Sequence, residues 1–174
     1  RAYAERQLNS HIAGYTFHIG SLDFHPIGLS IDLENVTVVR DANPDPPLAH
    51  VAEWQASVHW EALLSGHLVS DHIINRPVIH LTRPLTAREI KDPPTQKESW
   101  QAALFAVYPL QINELSIKDG DVTYRENATS DPIRVTNIQV RAENIRNVRS
   151  KPLQYPSRLQ VDAEVAGGGR INVD

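Results

Sequence analysis

Cysteine is absent from the 174-residue chain, which excludes disulfide staples and thiolate metal sites. Methionine is absent too, even at position 1. The opening RAYAERQLNSHIAG therefore reads as the start of a piece excised from a longer chain. Aromatic residues make up only 6% against 41% apolar residues, so any core built here is thin. No apolar run approaches the roughly 18 residues that a membrane-crossing helix needs. Positive charge is in deficit as well. Lys and Arg number 17 and Asp and Glu 21, for a net charge of −4. That balance argues against nucleic acid as a partner, because phosphates call for a basic stripe. The densest basic stretch carries Arg141, Arg146 and Arg149, and Glu143 interrupts it.

Catalytic motifs are missing in the same way. The eight histidines form no HExxH motif and no i, i+4 pair on a helix. His67 and His72 are five apart on one strand, hence on opposite faces, and His18, His59 and His80 fall on polar strand phases. These are solvated positions. There is no GxSxG elbow, P-loop or GxGxxG. The glycines of GGGR (residues 167–170) sit between two strands, whereas a phosphate cradle needs a helix behind it. Asp119 and Asp121 flank Gly120 without the acidic spacing of a calcium loop, which marks a turn or bulge. Asn35 and Asn127 each begin an N-x-T triplet, which matters only in a eukaryotic secretory host. The chain thus reads as non-enzymatic, with no metal and no cofactor.

What is present is alternation. In GLSIDLENVTVV, Leu29, Ile31 and Leu33 alternate with polar residues, and the apolar set then jumps to Val36 and Val38. Strict alternation marks a strand with one wet and one dry face, and a one-residue slip turns every side chain over. The preceding segment shows the same jump, with Tyr15, Phe17 and Ile19 before Gly20 and Leu22 and Phe24 after it. Paired bulges at Gly20–Ser21 and Glu34–Asn35 predict a strongly curved sheet. Further strands are expected over residues 49–60 (with Trp54, Ala56, Val58 and Trp60 on one face), 67–82, 112–126, 133–145, 158–165 and 170–174. Pro77 favours an edge position or a bulge for its strand. Residues 2–13 predict a helix stopped by Gly14, residues 61–65 a helical turn closed by Gly66, and residues 99–108 a second helix ended by Pro109. Residues 41–47, 92–97 and 147–157 are loops by their prolines and polarity. No strand is a continuous Val/Ile run of the kind buried parallel strands show, which favours antiparallel pairing with one solvated face. The fold class is mainly β with minor α: a curved one-sided antiparallel sheet of about eight or nine strands forming an open groove.

The order of these elements resembles the N-terminal periplasmic region of the AsmA-like proteins of the Gram-negative envelope. It is particularly similar to the branch known as a domain of unknown function. The matching residues are Gly20, Leu22 and Phe24, then Leu29, Ile31, Leu33, Val36 and Val38, then Pro47, Leu48 and Ala49. They continue with Leu63, Leu64, Gly66 and Leu68, then Ile73, Pro77, Ile79 and Leu81. The segment INELSIKDGDVTYRE resembles a unit found further along such proteins. The similarity spans residues 2–174 and is strongest over 12–125. Trp54 departs from it, standing where the family has a smaller aliphatic residue.

The resemblance implies a single periplasmic segment over residues 1–174, anchored in the inner membrane by a part of the protein outside this chain. It implies no catalysis. Its apolar trough would serve phospholipid transport or outer-membrane maintenance, lined by Leu29, Ile31, Leu33, Val36, Val38, Trp54, Ala56, Val58, Leu115 and Ile117, with Val122 and Tyr124 after a phase change. The partners implied are phospholipid or another acyl lipid, the rest of the same chain through strand pairing, and other envelope proteins. The alternative reading is a structural or adaptor module that pairs edge-to-edge with neighbouring domains or envelope proteins.

Overall fold

The computed structural model describes residues 1–11, 14–82, 110–126, 129–146 and 158–174. The expected helix at 99–108, the loops at 92–97 and 147–157, the end of the first helix at 12–13, and Asn127 lie outside these residues. Helix α1 (Ala2–His11) is followed by strands β1 (Tyr15–His18), β2 (Ser21–His25), β3 (Ser30–Arg40) and β4 (Ala49–Val58). Helix α2 (Trp60–Leu64) leads to β5 (Leu68–Thr82), β6 (Leu110–Arg125), β7 (Ile133–Arg146), β8 (Arg158–Val165) and β9 (Gly169–Val173). Trp60 does not extend the apolar face of β4 as expected: the strand ends at Val58, and Trp60 opens α2 with its side chain exposed. All nine strands form one curved, unclosed sheet. β1 and β2 lie end to end along β3, and the path then runs from β3 to β9 in sequence order.

One pairing corrects the expectation of an all-antiparallel sheet: β5 and β6 run parallel, from Leu68↔Leu110 to Thr82↔Arg125. A parallel neighbour needs a crossover of about a dozen residues or more. Here 110 − 82 − 1 = 27 residues separate the two strands. Alternation reports which face a side chain takes, not the direction of its strand, so periodicity carries no sign of this pairing.

The phase change of β3 belongs to a line that crosses the sheet. Asn35 takes a left-handed φ of 51°, Arg76 in β5 50°, Asp119 in β6 54° and Asn137 in β7 51°. The register aligns them. Asn35 lies between the pairs Glu34↔Glu53 and Val36↔Val51, and Arg76 between Val51↔Pro77 and Glu53↔Asn75. The β6–β7 register shifts on both sides of Gly120, and the β7–β8 register shifts between Thr136 and Gln139. Asn and Asp tolerate left-handed backbone better than other non-glycine residues, which explains three of these four positions. Gly20 closes the line at the β1–β2 junction. A Cβ there would stand 2.9 Å from both the Asn35 Cβ and the Glu34 carbonyl oxygen, so only glycine fits.

Pro77 lies on this line. Its strand is central, between β4 and β6, so the edge position is not taken and the bulge is. The β5–β6 ladder steps from Asn75↔Lys118 to Val78↔Asp121, so the missing proline N–H falls where that ladder is already open.

β8 shows what the line achieves. Its sequence alternates without a break, and from Gln160 on its burial does too, with Val161, Ala163 and Val165 on one face. Val161 pairs with Val140, and Val165 pairs with Val135. Val140 and Val135 therefore share a face although they are an odd number of positions apart, 140 − 135 = 5. Partners across a ladder share a face, so the same holds in β6, β5, β4 and β3. The apolar residues on both sides of the kink line occupy one face.

Candidate functional site

That face is built of rows. One row runs across eight strands: Leu22↔Leu33↔Trp54↔Ile74, then Ile117↔Val140↔Val161↔Val173. A second runs Phe24↔Ile31↔Ala56↔His72, then Leu115↔Ala142↔Leu159. Beyond the kink line a third runs Phe17↔Val38↔Ala49↔Ile79, then Val122↔Val135↔Val165. Val36, Val51 and Pro77 form a short row beside the line, and Leu81, Tyr124 and Ile133 another further out.

All of the expected lining residues but Leu29 fall into this pattern, and Leu29 precedes the strand. Leu33, Trp54 and Ile117 share the first row; Ile31, Ala56 and Leu115 share the second. Val38 lies in the third with Val122, and Val36 stands beside the line, only 5% exposed. Val58 ends β4 opposite Ser70, and Leu29 sits in the turn before β3 with a φ of 45°. The residues that β5 contributes, Ile74 and Ile79, escaped the pattern reading. β5 carries apolar residues on both phases (Ile73 and Ile74, Val78 and Ile79), so alternation alone chooses no face for it.

Little covers these rows. Among the described residues only Ile19, Val36, Ala142 and Ala163 are fully buried hydrophobics. Ordinary cores close over far more apolar surface than that. The helices stand aside. α1 packs along β1, where its Asn9 side chain bonds both the Phe17 amide and carbonyl and its Glu5 carboxylate accepts the Ile19 amide at 2.7 Å. That amide bond is the chief reason the Glu5 carboxyl sits below its ordinary value. α2 packs against the start of β5.

One polar residue interrupts the rows. His72 stands on the apolar face, where the Trp54 Nε1–H donates to its Nδ1 at 3.2 Å and its Nε2 lies 2.9 Å from the Ser70 hydroxyl. With Nδ1 accepting, the ring proton belongs on Nε2, and both nitrogens are satisfied by the neutral tautomer. Burial pushes the His72 imidazole below its ordinary range, and the neighbouring Asp71 carboxylate opposes this only in part. The face therefore stays uncharged near neutral pH. His72 is separated from Trp54 by 18 positions in sequence, and only the β4–β5 register brings them together.

The opposite face is polar and internally paired. Glu53 accepts from Gln55 and Asn75, Arg141 bridges Glu114 and Glu143, and Arg134 meets Asp121. Asp119 accepts from Gln139, so the two aspartates beside Gly120 are both engaged within the sheet. Asp71 holds His59 at 2.6 Å and Asn113 at 2.9 Å. Partial burial raises its carboxyl, but the bonds from Asn113 and His59 outweigh that and leave it below the usual aspartate range. No group of metal-ligating side chains gathers among the described residues. No known family model matches this chain, and no curated protein does either.

Proposed function

We propose that this chain is a non-enzymatic, AsmA-like envelope segment whose uncovered apolar face receives the acyl chains of phospholipid. The observation that carries the reading is the continuity of the rows: apolar residues pair across seven or eight strands, on both sides of a kink, with no second layer over them among the described residues. An acyl chain is a fitting occupant, because each methylene it buries contributes about 0.8 kcal/mol without needing a shaped pocket. The kink line bends the sheet while keeping the apolar set on one side, as a trough requires. The sequence pattern shared with AsmA-like proteins supports the same reading and adds the periplasmic, membrane-anchored setting.

Native mass spectrometry of the purified chain, with lipid extraction from the same sample, tests it. Co-purifying phospholipid is expected, and Ile31→Asp is expected to abolish it while circular dichroism stays native, since Ile31 is already 37% exposed. An apo mass with no lipid uptake from liposomes would sink the reading.

A second reading, an edge-pairing adaptor module, has one observation in its favour. Every residue of β9 is exposed, and among the described residues its only partner in the sheet is β8. Such an edge accepts a further strand.

A further inference from the structure

Five large hydrophobic side chains stand in solvent near one corner of the sheet. Phe24, Ile27, Trp60, Leu63 and Leu64 are 56%, 102%, 58%, 47% and 79% exposed. They come from β2 with its following turn and from α2, and the register joins the two. His25 pairs with Ser30, Ser30 pairs with Ser57, and the Val58 amide donates to the Leu29 carbonyl. The His59 amide then bonds the Val69 carbonyl as α2 begins. Turn 26–29 and α2 thus abut at one end of β2, β3, β4 and β5. At the opposite end of the same strands, residues 41–47 carry Asp41, Asn43, Asp45 and three consecutive-region prolines, Pro44, Pro46 and Pro47.

The form and charge of this corner select its partner. The side chains project from a turn and a five-residue helix, and Ile27 touches almost nothing. Projections of this kind suit a fluid phase that closes around them. Trp60 adds the amphipathic indole favoured at the membrane–water boundary. Neither Lys nor Arg occurs in residues 20–39 or 57–75. The carboxylates of Asp32 and Asp71 are held by His25 and His59 at 2.9 and 2.6 Å, which leaves Asp23 on β2 and Glu61 on α2. Among the described residues of the turn, β2 and α2, no Lys or Arg side chain would attract an anionic headgroup. The apolar row of Phe24, Ile31 and Ala56 runs up to this corner. No helix among the described residues is long and apolar enough to cross a membrane.

We infer that this corner docks on the neutral surface of a lipid bilayer, with Ile27 and Leu64 inserted and Trp60 at the interface. The inference stands apart from the trough reading. The test is flotation of the whole chain with phosphatidylcholine vesicles at low and high salt. The chain is expected to float equally at both, and the double variant Ile27→Ser/Leu64→Ser to lose roughly tenfold or more of its partitioning. Its fold, checked by circular dichroism, is expected to be unchanged. Because the chain has no cysteine, an environment-sensitive dye on Leu64→Cys reports insertion directly. It is expected to shift to the blue on vesicles, while the same dye on Asn43→Cys does not. Absence of flotation, flotation that needs anionic lipid, flotation untouched by the double variant, or equal shifts of both dyes overturns the inference. So does self-association through this corner without vesicle binding. The double variant still takes up monomeric fatty acid in native mass spectrometry if the trough exists, and Ile31→Asp still floats if the corner docks, so each idea fails separately.

Discussion

Strands β6 and β8 lie two apart in the same sheet and solve the same problem differently. β8 has eight residues and alternates cleanly from end to end. β6 has sixteen, and its apolar residues change phase between Ile117 and Val122 through the left-handed Asp119 and the buried Gly120. A short strand keeps its dry side chains on one face by pleat alone. A long strand that must bend cannot, because the bend rotates the chain out of phase. The kink spends one residue in an unfavourable conformation to restore the phase beyond it.

The comparison can be broken most severely by removing the compensating residue. Deleting Asn35 should turn Ile31 and Leu33 toward the polar face and cost about 4 kcal/mol or more, seen as loss of the cooperative thermal transition. Next in size is Gly20→Val. Its Cβ would meet the Glu34 carbonyl at 2.9 Å, and overpacking of this kind costs about 3 kcal/mol by urea titration.

A smaller effect tests the neutral floor of the face. His72→Phe should cost about 1–2 kcal/mol, because Trp54 Nε1 and the buried Ser70 hydroxyl lose their partner. The variant should also change the pH dependence. The folded state holds the His72 imidazole below its ordinary 6.5, so the unfolded chain binds the extra proton first. The contribution of His72 is complete above 6.5 and lost as pH falls toward its folded value. That slope should vanish in His72→Phe. The Asp71 contribution has the same sign but is lost below 3.8, and it should remain.

The smallest effect sharpens the contrast. Arg76 is exposed and carries a φ of 50°, which is costly for a residue with a Cβ. Arg76→Gly should therefore stabilise the protein by about 0.5–1 kcal/mol. Gln160→Gly in the regular strand β8 should destabilise it by about as much, both read from denaturant midpoints.

Much of this architecture was legible from the residues. Alternation located the dry faces of six strands, and the phase changes at Gly20, Glu34–Asn35 and Asp119–Gly120 marked three points of the kink line. The rest needed the register. Arg76 gives no local signal of a left-handed backbone. The line through Asp119 and Asn137 emerges only when β6 and β7 are laid beside β5. Trp54 read as an apolar residue in a strand, which it is. Its hydrogen bond to His72 depends on which residues of β5 stand next to it. The rows that make up the candidate site are likewise a property of pairing, and no single strand contains one.

The parallel junction of β5 with β6 has a consequence for how the chain assembles. Apart from β1, which reaches past β2 to pair with β3, every other pairing joins neighbours along the chain and can zip from the connection between them. The junction must bring together residues such as Leu68 and Leu110, 110 − 68 = 42 positions apart. Closing that loop sacrifices the most chain entropy for its first contact. Residues 15–82 and 110–173 should then form as two separately cooperative meanders, and their docking along this one ladder should be the last and slowest event in folding.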